Sequence, residues 1–201
     1  GFKAISPCLQ VVDRPYTISP GEGNFHLISS WSPKNSEGRW TEKPLNLYQG
    51  LAYSVNSVSV FLMKELGNAE IVCGLVNAMG IDSSKRRPDG EFRVPRQPSI
   101  CLGSSDLTVM EMTGAYTTFA NDGKYIKPYF IDRIEDKNGR VIYQAKIEES
   151  RALPSGVNYV MVDLLKRASP VRDGTVKTEH GGKTGTTNSY KDGWYMGITP
   201  K

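Results

Sequence analysis

Histidine is nearly absent, cysteine is scarce, and no long apolar run interrupts the 201 residues. Each shortage removes a class of chemistry. The two histidines, His26 and His180, stand far apart, and no G-x-S-x-G elbow occurs, so a Ser-His-Asp hydrolase has little to build on. His180 reads as a turn residue before it reads as a base. Three cysteines, at 8, 73 and 101, cannot all pair and form no C-x-x-C, which excludes a disulfide framework and a zinc ribbon. Cys73 falls on an apolar helical face and is expected in the core. Distant histidines and scattered cysteines give no ligand spacing, so neither a metal nor another cofactor is expected. The sequence shows no signal peptide and no stretch able to span a bilayer. A net charge of +4 is too mild to imply nucleic acid. The densest basic run, Lys85-Arg86-Arg87, is broken by Pro88, Asp89, Gly90 and Glu91 and reads as a solvated loop.

What is present is an ordinary globular composition, with 38% apolar residues, sufficient for one core. Residues 1–43 are rich in turn formers and show no helical period. From Leu45 to Gly67 the apolar spacing predicts two helices with a break near Tyr53–Asn56. Asn68 is expected to cap a third helix, with Ile71, Val72, Leu75, Val76 and Met79 inward and Gly80 closing it. Residues 82–103 return to loop. Thr108 and Glu111 form a capping box for a helix over Val109–Ala120, ended near Asp122-Gly123. "YFIDRIEDKNGRVIYQ" predicts a hairpin with a type I′ turn on Asn138-Gly139. Ser155 begins a helix with Val157, Val160, Met161, Leu164 and Leu165 on one face. Two strands are expected at the end, Gly182–Thr187 and Trp194–Thr199, joined by a polar turn over 188–193.

The last two strands hold the one stretch with a chemical signature, "HGGKTGTTNSYKDGWYMG". Gly182-Lys183-Thr184 resembles the end of a phosphate-binding loop, but the glycine that loop needs five residues earlier is Lys177. No helix begins at the Lys-Thr either, since Gly185, Thr186, Thr187 and Asn188 form helix poorly. A lysine on a strand suits another anion. An exposed strand edge binds an extended peptide through its backbone groups. Lys183 adds positive charge there, Thr184 and Thr186 add hydroxyl donors, and Gly185 removes a side chain where a ligand must come close. The combination fits a peptide ending in a carboxylate.

"KTGTT" with its polar turn and aromatic strand resembles the transpeptidase domain of penicillin-binding proteins, whose motifs are S-x-x-K, S-x-N and K-T-G. Ser54-Val55-Asn56 matches the second motif at the break between two helices. About 0.9 S-x-N triplets are expected by chance in such a chain, against about 0.005 for K-T-G-T. The weight therefore rests on order and on longer segments: "WSPKNSEGRW", "LAYSVNSVSVFLMKELG" and "LGSSDLTVMEMTGAYTTFANDGKYIKPYFIDRIEDKNGRVI" all look like class A, bifunctional members. The resemblance covers essentially the whole chain. One departure matters: S-x-x-K occurs nowhere.

The resemblance implies an α+β protein of the β-lactamase/transpeptidase-like fold, a helical lobe with an antiparallel sheet, incomplete over 1–201. The S-x-x-K segment, a glycosyltransferase domain and a membrane anchor are expected upstream, and a further strand and helix downstream. The implied reaction is acyl transfer through a serine ester on the D-Ala-D-Ala end of peptidoglycan stem peptides, at the extracytoplasmic face of a bacterial membrane. β-Lactams and other cell-wall synthesis proteins are the further implied partners. By the same resemblance, Ser54 relays a proton to the leaving nitrogen and Asn56 binds the substrate's side amide and the motif lysine. Lys183 holds the positive field, while Thr184, Gly185 and Thr186 form the carboxylate wall. The Thr186 N–H supplies half of an oxyanion hole. Residues 1–201 alone, lacking the nucleophile, are expected to be inactive and not to be labelled by a fluorescent penicillin. The alternatives are a catalytically dead binding module of the same fold, and a carboxypeptidase or β-lactamase, which the class A-like segments disfavour.

Overall fold

A computed structural model describes residues 5–169, 176–187 and 191–200. Part of the predicted polar turn, residues 188–190, lies outside them. Strand β1 (Val11–Val12) pairs antiparallel with β2 (Pro44–Leu45), closing off the long irregular N-terminal segment. Helices α1 (Leu47–Ala52), α2 (Asn56–Leu66) and α3 (Ala69–Ala78) follow. The break between α1 and α2 falls at 53–55, and Gly67 ends α2 in the left-handed conformation, both as the sequence predicts. Asn68 caps α3 by accepting from the Glu70 amide. The loop that follows includes a 3-10 turn at Pro98–Leu102. Helix α4 spans Val109–Ala120 behind the expected Thr108–Glu111 capping box. Then come β3 (Lys124–Ile126), β4 (Arg133–Glu135), β5 (Val141–Gln144), β6 (Glu149–Arg151), α5 (Ser155–Ala168), β7 (Gly181–Thr186) and β8 (Gly193–Ile198). The last two strands begin and end one residue earlier than predicted.

The core lies between α2, α3, α4 and the loops around them. Met63, Ala69, Cys73, Met79, Ile81, Val94, Ile100 and Ala115 are buried together there. Cys73 takes the core position expected of it, 2% exposed. Ile18 and Phe25 join the same cluster from the turn-rich segment. Ile18 and Trp31 exchange backbone hydrogen bonds of 2.9 Å, so an isolated bridge satisfies the polar groups that burial would otherwise orphan.

Several faces differ from the prediction. In α3 the inward positions are Ala69, Val72, Cys73, Val76 and Met79, while Ile71 and Leu75 are exposed. Ala69 is fully buried against the core, and Glu70 beside it pairs with Arg96 at the protein surface. In α5, Val157 and Val160 are exposed and Asn158 turns inward. Its Nδ2 donates at 3.0 Å to the Phe119 carbonyl at the end of α4, a buried acceptor that an apolar side chain would leave unpaired. In the β4–β5 hairpin, only Gly139 has positive φ, at 80°. The Gly139 amide donates to the Asp136 carbonyl, and the Asp136 side chain accepts from the Asn138 and Arg140 amides. The turn is therefore type I followed by a glycine bulge, with Asp136 holding Asn138 out of the left-handed region that type I′ requires. The β3–β6 pair, which encloses this hairpin, has no local sequence signal.

Candidate active site

The site begins at the corner between α1 and α2. The Ser54 amide donates to Leu51 O at 3.2 Å and the Val55 amide to Gly50 O at 2.9 Å. That is a Schellman closure, and Ser54 occupies its left-handed position, with φ 53°. Glycine is the usual residue there because a Cβ is strained. Gly50, in the same helix, is buried so closely that a Cβ would meet Val58 Cγ1 at 2.7 Å. The two helices thus meet tightly at the corner, and the Ser54 hydroxyl is left exposed.

Asn56 is the first residue of α2. Its Nδ2 donates to the Lys34 carbonyl at 2.8 Å. Val55 gives the helix no side-chain cap. Instead Asn35, from the same loop as Lys34, accepts from the Ser57 amide at 3.1 Å. Behind it stands Asp13, buried, which also accepts from the Ser57 hydroxyl at 2.7 Å. Sequence reasoning missed Asp13, Asn35 and Ser57. The available signal was faint: an acid after Val11-Val12 in a segment rich in turn formers.

Lys183 arrives from β7, whose six residues pair with β8 from Gly181↔Ile198 to Thr186↔Gly193. Two glycines permit the strand to lie where it does. A Cβ at Gly181 would press on the α5 backbone at Lys166 N, 3.0 Å away, and one at Gly182 would meet the Tyr195 hydroxyl at 2.5 Å. The strand is thereby seated against α5, and α5 in turn packs on α1. Tyr48 of α1 donates to Asp163 of α5 at 2.8 Å, and the Arg167 guanidinium lies 4.6 Å from the Tyr48 ring centre. This seating carries the Lys183 Nζ to the Ser54 hydroxyl, to which it donates, and to the Thr184 carbonyl at 3.0 Å. Burial lowers the Lys183 pKa from its ordinary value of 10.5.

Of the six predicted site residues, Ser54 and Lys183 are thus in direct contact across 129 residues of sequence. Thr184, Gly185 and Thr186 are exposed on the same strand. By strand alternation the two threonines share the face opposite to Lys183 and Gly185. Asn56 sits on the helix beginning two residues after Ser54, held by Lys34. Among the described residues, no strand pairs with the other edge of β7. His180 bonds locally to the Thr178 carbonyl at 2.9 Å, as a turn residue does. Among the described residues there is no cluster of three or more metal-ligating side chains. Burial pushes the Cys101 thiol up to about 12, which makes it inert. Chemically, then, an exposed hydroxyl is bound by a desolvated ammonium beside an open strand edge.

The family model described as the penicillin-binding protein transpeptidase domain matches residues 12–201. The chain belongs to the penicillin-binding protein transpeptidase family. Penicillin-binding protein 1A of Rickettsia bellii is 31% identical over 94% of the chain, and that of Aquifex aeolicus is 32% identical over 93%. The chain spans about a quarter of each of these relatives, 25% and 24% of their lengths. Among solved structures, penicillin-binding protein 1A of Haemophilus influenzae superposes with a TM-score of 0.77, at 24% identity over 98% of the chain and 34% of its own. An imipenem acyl-enzyme complex of penicillin-binding protein A from Mycobacterium tuberculosis gives 0.72, at 21% identity over 98% of the chain and 48% of its own. These transpeptidases share the fold of the chain, which is α+β and β-lactamase/transpeptidase-like.

Proposed function

We propose that these residues form part of a peptidoglycan D,D-transpeptidase, in which a serine ester carries the acyl group from a D-Ala-D-Ala donor to an amine. One observation carries the reading: the Lys183 ammonium on a K-T-G-T strand bonds the hydroxyl of an S-x-N serine. The nucleophilic serine, which no S-x-x-K within 1–201 supplies, comes from chain outside these residues. Its Oγ attacks the carbonyl between the two D-alanines, and the C–N bond to the second D-alanine breaks as the Oγ proton is handed toward that nitrogen. Ser54 relays a proton to the departing D-alanine nitrogen, with Lys183 holding the hydroxyl in place and its field on the donor carboxylate. Thr184 and Thr186 bind that carboxylate from the other face of the strand, across its open edge. Gly185 lets the donor lie against the strand, and the open edge of β7 accepts it as an added strand. Asn56 binds the side amide of the donor. The acyl group then passes from the ester to the acceptor amine, which restores the serine.

β-Lactams are proposed as ligands of the same site, in keeping with the imipenem acyl-enzyme of the Mycobacterium tuberculosis relative. No helix among the described residues is long and apolar enough to cross a membrane. A membrane anchor and a glycosyltransferase domain are proposed for the remainder of the whole protein, which places the site on the extracytoplasmic side.

The test is acylation of the full-length protein by a fluorescent penicillin. Lys183→Ala is expected to slow it by about 10²-fold or more, the scale of a lost electrostatic donor. Because burial lowers the Lys183 pKa, the alkaline limb of the wild-type rate profile is expected below pH 10.5. Unchanged labelling of Lys183→Ala refutes the reading. A full-length protein that binds stem peptide but is never labelled would point to a catalytically dead binding module.

A further inference from the structure

Asp13, just after β1, is 2% exposed, and every hydrogen bond to its carboxylate comes from residues 22 or more positions away. Oδ1 accepts from Asn35 Nδ2 at 2.8 Å and from the Ser57 hydroxyl at 2.7 Å. Oδ2 accepts from the Thr41 amide at 2.8 Å and the Thr41 hydroxyl at 2.9 Å. Burial by itself raises the Asp13 pKa, but the bonds from Ser57, Thr41 and Asn35 outweigh it and hold it below the ordinary value. The carboxylate is thus charged and fully engaged.

Asn35 is equally committed. Its Nδ2 donates to Asp13 and, at 3.1 Å, to the Arg39 carbonyl. Its Oδ1 accepts from the Ser57 amide in the first turn of α2. An amide whose donors and acceptor are each fixed by a different segment has one allowed orientation. Its backbone is fixed with it, including the neighbouring Lys34 carbonyl. That carbonyl takes the Asn56 Nδ2. One Nδ2 hydrogen is so engaged, which leaves the other and Oδ1 to meet the side amide of a ligand.

We propose that Asp13 and Asn35 are positioning residues that lock the Lys34–Asn35 loop onto the first turn of α2 and so set the Asn56 amide for the acyl donor. The inference rests on the reading of Asn56 as the contact to the donor's side amide. It predicts a loss that depends on the ligand. A ligand with an acylamino side chain uses Asn56. One without it does not.

The test compares second-order acylation rates of the full-length protein by benzylpenicillin, which carries that amide, and by 6-aminopenicillanic acid, which lacks it. Asn56→Ala is expected to lose about tenfold with benzylpenicillin and about twofold or less with 6-aminopenicillanic acid. Asn35→Ala is expected to show the same selectivity and to add none in the Asn56→Ala background. Ser57→Ala, which removes one donor to Asp13, gives a milder loss in the same direction and carries the test if Asn35→Ala does not fold. Equal losses on both ligands in the loop variants, with Asn56→Ala still selective, overturn the positioning role alone. If Asn56→Ala is itself unselective, the reading of Asn56 fails and takes this inference with it.

Discussion

Serine holds at position 54 a backbone conformation that glycine would adopt with less strain. A strained serine there is accounted for by the relay role proposed for its hydroxyl. Ser54→Gly is expected to raise the stability of the full-length protein by about 1 kcal/mol while slowing acylation by about 10²-fold or more. Thermal unfolding and penicillin labelling of one variant read both signs. A loss on both counts would mean that the serine serves the corner itself. The lysine half of this pair was legible because K-T-G-T is a rare string on a strand. The serine half was legible only through the family resemblance, by motif order and its place between two helices, since S-x-N triplets alone arise by chance. Only the fold brings Ser54 and Lys183 together across 129 residues. Asp13 was less legible still. Its partners stand 22, 28 and 44 residues away, and no local period marks such a cluster.

Where caps and periods are local, sequence and element agree. Helix α4 has the predicted bounds because its box is written within four residues, Thr108 to Glu111. Glu111 also binds Arg93 at 2.8 Å, and that bond, with the Thr108 amide, lowers its pKa to about 2. A carboxylate with a depressed folded pKa stabilises above its ordinary value of 4.5 and stops doing so as pH falls toward about 2. Glu111→Gln keeps a capping-box residue and removes the charge. It is expected to cost about 1–3 kcal/mol at pH 7. The gap to wild type should close between pH 4.5 and about 2 in melting curves taken across that range. A gap independent of pH would assign the effect to packing. Elements set by distant partners were misread for the same reason that α4 was not. In α3 the core meets Ala69 and Cys73 and leaves Ile71 and Leu75 outside, and the inward Asn158 bonds a carbonyl in α4.

At the scale of the molecule, a segment with almost no regular structure supplies part of the core. Phe25 is 2% exposed, although its neighbours are Gly23, Asn24 and His26. Phe25→Ala is expected to cost about 3–5 kcal/mol in denaturant unfolding, as for a residue inside a helix bundle. A cost near zero would detach this segment from the core. Turn residues hid the segment's role because they report on backbone shape and not on burial. A mixed class was legible from the helical periods and the hairpin signal after residue 43, and the α+β fold from the family resemblance. The open side of β7 has a consequence of another kind. A bare strand edge invites any passing strand, including one from a second copy of the protein, and most proteins cover or charge such edges to stay dispersed. Among the described residues nothing pairs with that edge, and covering it would close the site proposed there. Yet Gly-Gly-Lys-Thr-Gly-Thr is a poor template for aggregation, because glycine disfavours extended pairing and the lysine repels its own image. The residues proposed to hold a carboxylate are thus also ones that keep the edge from joining strands into fibres.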